Sequence, residues 1–235
     1  LHLSEYKRLR PQSGFARLFA PNLLLPHRTI CTICSDQLKV IFHSAAIIVF
    51  WNKAQPCLLY KADCYRCRRS FRVSSIYLFD HKASLVTSES QKSDYVHYSG
   101  SLVFSKEILV SFSSQLIDDH VTFDGFAAAV LKTYRRLSTS VDSITADNLA
   151  RSLQSVWLYY ELTNFILMTS KATEVSYPYA MSEGRTRVNG GQSSRAIFIE
   201  RNLDWIYHLF TVFWSHHGDV FGACRCDRCS SVLII

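Results

Sequence analysis

A chain of 235 residues, 48% of them hydrophobic and 13% aromatic, can build a sizeable core in one large domain or two small ones, which excludes an intrinsically disordered protein. The formal net charge of +7 and a pI near 9.0 favour an acidic partner such as nucleic acid or an anionic surface. His43 and Asn52 bracket the longest apolar candidate, Ile41 to Trp51, so no membrane-spanning helix is expected.

Residues 1–27 read as an N-terminal extension. LHLSEYKRLR carries charges where the apolar stretch of a secretion signal would begin, and LFAPNLLLP is broken by Pro21 and Pro26, so no such signal is expected. The chain starts at Leu, and a fragment of a longer protein is expected. Residues 28–80 then carry two C-x2-C pairs, Cys31 with Cys34 and Cys64 with Cys67. Between them, LKVIFHSAAIIVFW holds two β-branched runs, Leu38 to Phe42 and Ile47 to Trp51, which predict a strand hairpin turning at HSAA. Cys57 stands alone and is expected to be a small buried apolar residue. After the second pair, SFRVSSIYLF alternates Phe71, Val73, Ser75, Tyr77 and Phe79 as a half-buried strand would.

Paired C-x2-C turns suit a tetrahedral zinc site, because each turn presents two thiolates to one side of a metal and two turns complete the shell. Disulfides are the poorer reading, since cysteines three positions apart have unfavourable bridging geometry and the chain is too long and too sparse in cysteine for a stapled secreted domain. Four thiolates leave no open position for water, so the metal is expected to be structural. A redox pair at CYRC is the alternative; it requires a following helix, whereas the residues that follow read as strand. Knuckle, hairpin, knuckle, strand is the layout of a zinc ribbon. Lys61, Arg66, Arg68, Arg69 and Arg72 crowd the second knuckle, where they form either a phosphate-binding surface or a solvated basic face.

Residues 81–215 read as mainly helical. Ile108, Leu109, Phe112 and Leu116 make one stripe behind Ser105 as a cap; Phe123, Phe126, Val130 and Tyr134 make another behind Thr122. Thr145 opens a third segment with Leu149, Leu153, Val156, Trp157 and Tyr160 at helical spacing. Residues 169–195 break the helical pattern, first with Pro178 and then with SEGRTRVNGGQSSR (residues 182–195, holding Gly190 and Gly191), which reads as a surface loop without a phosphate-binding pattern. A last helix from about residue 196 is predicted to turn Ile199, Leu203, Ile206, Phe210 and Phe213 inward. Asp118, Asp119, His120 and Asp124 read as an exposed turn, so no catalytic residues are assigned.

Residues 216–235 hold Cys224, Cys226 and Cys229, three thiolates that need one more ligand for zinc, either His217 or His216 nearby or a residue beyond Ile235.

The order of C-x2-C, apolar strands, CYRC with its basic strand, the stretch YVHYSGSLVFSKEILVSFSSQLIDDHVTFDGFAAAVLKTY, and HHGDVFGACRCDRCSSVLII resembles the CxC-type cysteine-cluster domains associated with KDZ transposases, across residues 28–235. That resemblance implies a zinc-chelating module beside a transposase catalytic domain of RNase H-like fold, with DNA as partner and a nuclear, intracellular location. It places Cys31, Cys34, Cys64 and Cys67 in a first zinc site and Cys224, Cys226 and Cys229 at the start of a later one. Gly218 stands where another cysteine is expected and the chain stops after VLII, which implies a truncated copy. The expected fold is therefore α+β, with a small N-terminal zinc-ribbon-like β unit, a mainly helical domain and an incomplete C-terminal cysteine cluster. The expected function is a non-enzymatic, zinc-stabilised nucleic-acid-binding or assembly module, and the rival is a protein-interaction scaffold whose zinc is purely structural.

Overall fold

In the computed structural model, residues 22–81, 83–139, 143–170, 172–178 and 194–215 are described, and one long hairpin organises them. Lys39–Val49 (β2) and Ala54–Cys64 (β3) pair antiparallel, from Val49 opposite Ala54 at the tip to Lys39 opposite Asp63 at the base. The two apolar runs that predict a hairpin turning at HSAA are in fact one strand. HSAA contains no Gly, Pro, Asn or Asp to make a turn, and the chain instead takes up His43 as a bulge, where pairing steps from Phe42–Tyr60 to Ser44–Leu59. The reversal comes at residues 50–53, which include Asn52, and Phe50 N–H donates to the Lys53 carbonyl at 3.0 Å.

The other strands assemble on this hairpin. Asn22–Leu24 (β1) lies parallel to β3. Arg69–Phe71 (β4), Ile76–Leu78 (β5) and Ala83–Thr87 (β6) continue antiparallel from β3. SFRVSSIYLF is thus not one strand but two, reversing where Arg72 N–H donates to the Ser75 carbonyl at 2.8 Å. Tyr95–Val96 (β7) pairs with Leu102–Ser105 (β8), which runs parallel to β2, and Glu174–Pro178 (β9) pairs with β6 from within the stretch that breaks the helical pattern. One mixed nine-stranded sheet results, in the order β7-β8-β2-β3-β4-β5-β6-β9 with β1 beside β3. The boundary that the sequence predicts at residue 80 falls inside this sheet.

The helices begin where the sequence predicts. Lys106–Asp118 (α1), Phe123–Arg136 (α2) and Ala146–Thr169 (α3) are capped by Ser105, Thr122 and Thr145, whose hydroxyls accept from the N–H groups of Ile108, Gly125 and Asn148 at 3.4, 3.1 and 3.2 Å. His120 (φ 55°) and Ser138 (φ 53°) are left-handed residues just past α1 and α2, the usual way a helix ends. His120, Asp118, Asp119 and Asp124 are exposed there. The main core lies between these helices and the sheet, where Phe112 meets Phe126 and Trp157 edge-on at 5.0 and 5.6 Å. With helices and a mixed sheet in one packed body, the fold is α+β.

Ser194–Ser215 (α4) meets the core along a line different from the predicted one. Phe198 contacts Tyr177 at 4.4 Å and Leu209 is buried; these two are eleven residues apart, three full turns, and so share a face. On the predicted stripe Leu203 is exposed, and Phe210, about half exposed, reaches only the rim of the core, where its ring meets Phe165 at 6.4 Å.

Candidate metal centre

Both cysteine knuckles sit at the base of the β2–β3 hairpin. The first is a small loop closed by the Ile30–Gln37 bridge and by Leu38 N–H donating to the Thr29 carbonyl at 2.8 Å. The second is itself a turn between strands: Cys64 ends β3 and pairs with Arg69, which begins β4. The residue after the second cysteine is left-handed in each, Ser35 at φ 59° and Arg68 at φ 50°. Two unrelated tetrapeptides, CTIC and CYRC, therefore adopt the same curl, which turns both sulfurs of each pair to one side.

The four thiols converge. The Sγ atoms of Cys31, Cys34, Cys64 and Cys67 all lie within 4.8 Å of one another, close enough to hold a metal ion, and those of Cys34 and Cys64 are 3.5 Å apart. A tetrahedral tetrathiolate with metal–sulfur bonds of about 2.3 Å, the zinc value, has sulfur–sulfur edges of about 3.8 Å. A disulfide would need about 2.05 Å, and the five described cysteines are all free thiols. Cys31 and Cys64 are buried against Leu38, Ala62, Phe71, Ile76 and Leu85, while Cys34 and Cys67 are half-buried beside them.

Crowding sets the charge of the cluster. Burial pushes the Cys31 thiol up, but the N–H groups of Cys34 and Ile33 and the thiols of Cys34 and Cys64 outweigh it and bring Cys31 down to about 7. Cys34 goes the other way: the Asp36 N–H favours its thiolate, yet burial, the Cys67 thiol, the Asp36 side chain and the Cys31 thiol together hold it well above its ordinary value. Four thiols this close accommodate one negative charge readily and further ones only with a cation among them. An all-sulfur donor set selects soft or borderline ions.

The structure divides the five basic residues grouped by the sequence. Arg66 and Arg68 are exposed and Arg69 half-exposed, all at the second knuckle. Arg68 pairs with the exposed Asp80. Lys61 pairs with buried Asp63 at 2.8 Å. Arg72 is only 8% exposed, with its guanidinium over the Tyr77 ring at 4.7 Å, so it is a core residue and not part of a phosphate-binding surface. Asp63 is opposite Ser70 in the β3–β4 register, and the tight Arg72–Ser75 reversal keeps Arg72 inside.

A buried polar seam accompanies this correction. His97 is fully enclosed with Nε2 at 3.1 Å from the Gly100 carbonyl, and burial, reinforced by the charges of Arg72 and His43, lowers it to about 4. His43, in the bulge, is brought to about 4 by burial and then by Arg72 and Lys61. The signal for the seam lies in the pairing register, which single-sequence periodicity does not supply. Cys57 is buried as expected, and burial pushes its thiol up to about 12. Cys224, Cys226, Cys229 and His217 lie outside the described residues, as do Gly190 and Gly191.

Comparison of the chain with family models, with curated proteins and with solved structures finds no match. Among the described residues no helix is long and apolar enough to cross a membrane.

Proposed function

We propose that this chain is a zinc-stabilised module that binds nucleic acid, or helps assemble proteins on it, through its second cysteine knuckle, and that it has no catalytic activity of its own. In this reading Cys31, Cys34, Cys64 and Cys67 hold one structural zinc in a ribbon-like arrangement at the hairpin base. The observation that carries it is the convergence of four thiols directly beneath Arg66, Arg68 and Arg69. A metal fixed at the root of a short turn removes the cost of ordering it, so its arginines meet phosphates already positioned. The resemblance to transposase-associated cysteine-cluster domains supports DNA as the polymer, a transposase catalytic domain as partner, a nuclear location and an origin in a transposable element. The C-terminal cysteines, with His217, belong to a second zinc site in the same reading.

The test is binding of labelled short DNA, single-stranded and duplex, across a salt series. Binding that weakens with salt, and a shallower salt slope on replacing Arg66, Arg68 and Arg69 with Gln, is the expected result. No binding at low salt, or binding indifferent to the three substitutions, overturns the proposal. The second reading, a protein-interaction scaffold, is favoured by α4, where Leu203, Trp205, Tyr207 and Phe210 are all exposed. It predicts a stoichiometric protein partner whose binding Tyr207→Ser and Phe210→Ser abolish, with no dependence on the arginines.

A further inference from the structure

The tip of the second knuckle carries an aromatic residue that neither the metal nor the core explains. Tyr65 directly follows ligand Cys64 and is 80% exposed. Every other tyrosine of the β-strands and the turns joining them is buried or half-buried. Tyr65 also makes no ring contact with another aromatic among the described residues. Its neighbour Arg66 is exposed and has no ion pair among the described residues, and Arg68 and Arg69 follow within the same turn. The facing knuckle presents Ile33, which is 57% exposed, from the position between Cys31 and Cys34 that corresponds to Arg66. With all four sulfurs within 4.8 Å, the two tips are held side by side.

An exposed phenol ring on a backbone pinned at both ends is a stacking platform whose position is fixed before any ligand arrives. Bases stack on such rings only when they are free of their own duplex neighbours, whereas phosphates are equally available on one strand or two. Arginines alone would therefore indicate a backbone-binding surface indifferent to strandedness. An arginine next to an isolated exposed aromatic indicates a surface that takes a base and its adjoining phosphate together. We infer that the second knuckle recognises single-stranded nucleic acid, with an unpaired base stacked on Tyr65 and the flanking phosphates on Arg66 and Arg69. This inference rests on the nucleic-acid reading above and specifies its substrate class.

The experiment measures anisotropy of labelled dT12, rU12 and a dT12·dA12 duplex with the full chain and with Tyr65→Leu, Tyr65→Phe and Arg66→Gln, each checked for unchanged metal content. The full chain prefers either single strand to the duplex. Tyr65→Leu loses about 5- to 150-fold on the single strand, the range for one stacked base, while its duplex binding and its salt slope stay the same. Tyr65→Phe retains single-strand binding, because the ring is what stacks. Arg66→Gln weakens single strand and duplex alike and reduces the single-strand salt slope by about 0.7. Equal affinity for single strand and duplex, or no loss in Tyr65→Leu, overturns the stacking inference and leaves the phosphate-binding reading standing. Absence of binding to all three probes at low salt overturns both.

Discussion

The two ends of the β2–β3 hairpin are secured by different chemistry. At the tip, Val49 and Ala54 join a large core with Phe104, Phe112, Phe126, Tyr134 and Leu153, and the Tyr134 hydroxyl donates to the Phe50 carbonyl. At the base, seven buried residues form a separate small cluster, and two of them are cysteines. Apolar burial contributes roughly 25 cal/mol per Å², so the tip is held by area and the base has little area to use. Four converging thiols stand where a larger core would otherwise be needed, as in small domains that rely on metals.

The largest effect is expected from removing the zinc proposed for this site. Chelation, or Cys64→Ser, is expected to loosen β4, β5 and both knuckles while α1 to α3 stay folded, since structural zinc in finger peptides contributes about 10–16 kcal/mol. Hydrogen exchange reads this directly: amides of residues 69–78 lose protection, and amides of α2 and α3 keep it. Uniform loss across the chain would show that the two ends are not separately held. The converse is Phe112→Ala, which opens the helical core and is expected to cost about 3–5 kcal/mol in denaturant unfolding with metal content unchanged.

Acid sharpens the contrast through the seam between the two ends. His97 is lowered from 6.5 to about 4 in the folded chain, so the unfolded chain binds the proton first. Stability is full above pH 6.5 and falls as pH drops toward 4, by roughly 3 kcal/mol for this one residue. His97→Gln flattens that part of the stability–pH curve, measured on metal-free and metal-loaded protein so that ligand protonation is kept apart. The smallest effect is at Ser35, whose left-handed backbone (φ 59°) favours glycine. Ser35→Gly is expected to stabilise the loaded protein by about 0.5 kcal/mol, the relief of strain less the greater freedom of glycine when unfolded.

The cysteine site was legible because its information is local: C-x2-C spacing determines where two sulfurs can point, and two such units imply one another. Helix starts were legible for the same reason, since Ser105, Thr122 and Thr145 cap by bonding three residues on. What escaped depends on distant partners. His43 reads as part of a turn until β3 is seen to run past it in a bulged register, and Arg72 reads as a surface charge until Tyr77 and the seam enclose it. Strands as short as Tyr95–Val96 carry no period to detect, and the buried face of α4 is chosen by Tyr177 on a short strand inside the stretch that breaks the helical pattern. Tyr65 was visible within CYRC, but only its exposure gives it meaning.

Zinc K-edge X-ray absorption on the purified chain with Cys224, Cys226 and Cys229 replaced by Ser isolates the site at the hairpin base. One zinc per chain surrounded by four sulfurs at about 2.3 Å, and lost in the additional Cys64→Ser variant, is the predicted result. A protein without metal, or a zinc whose shell contains nitrogen or oxygen, would contradict it.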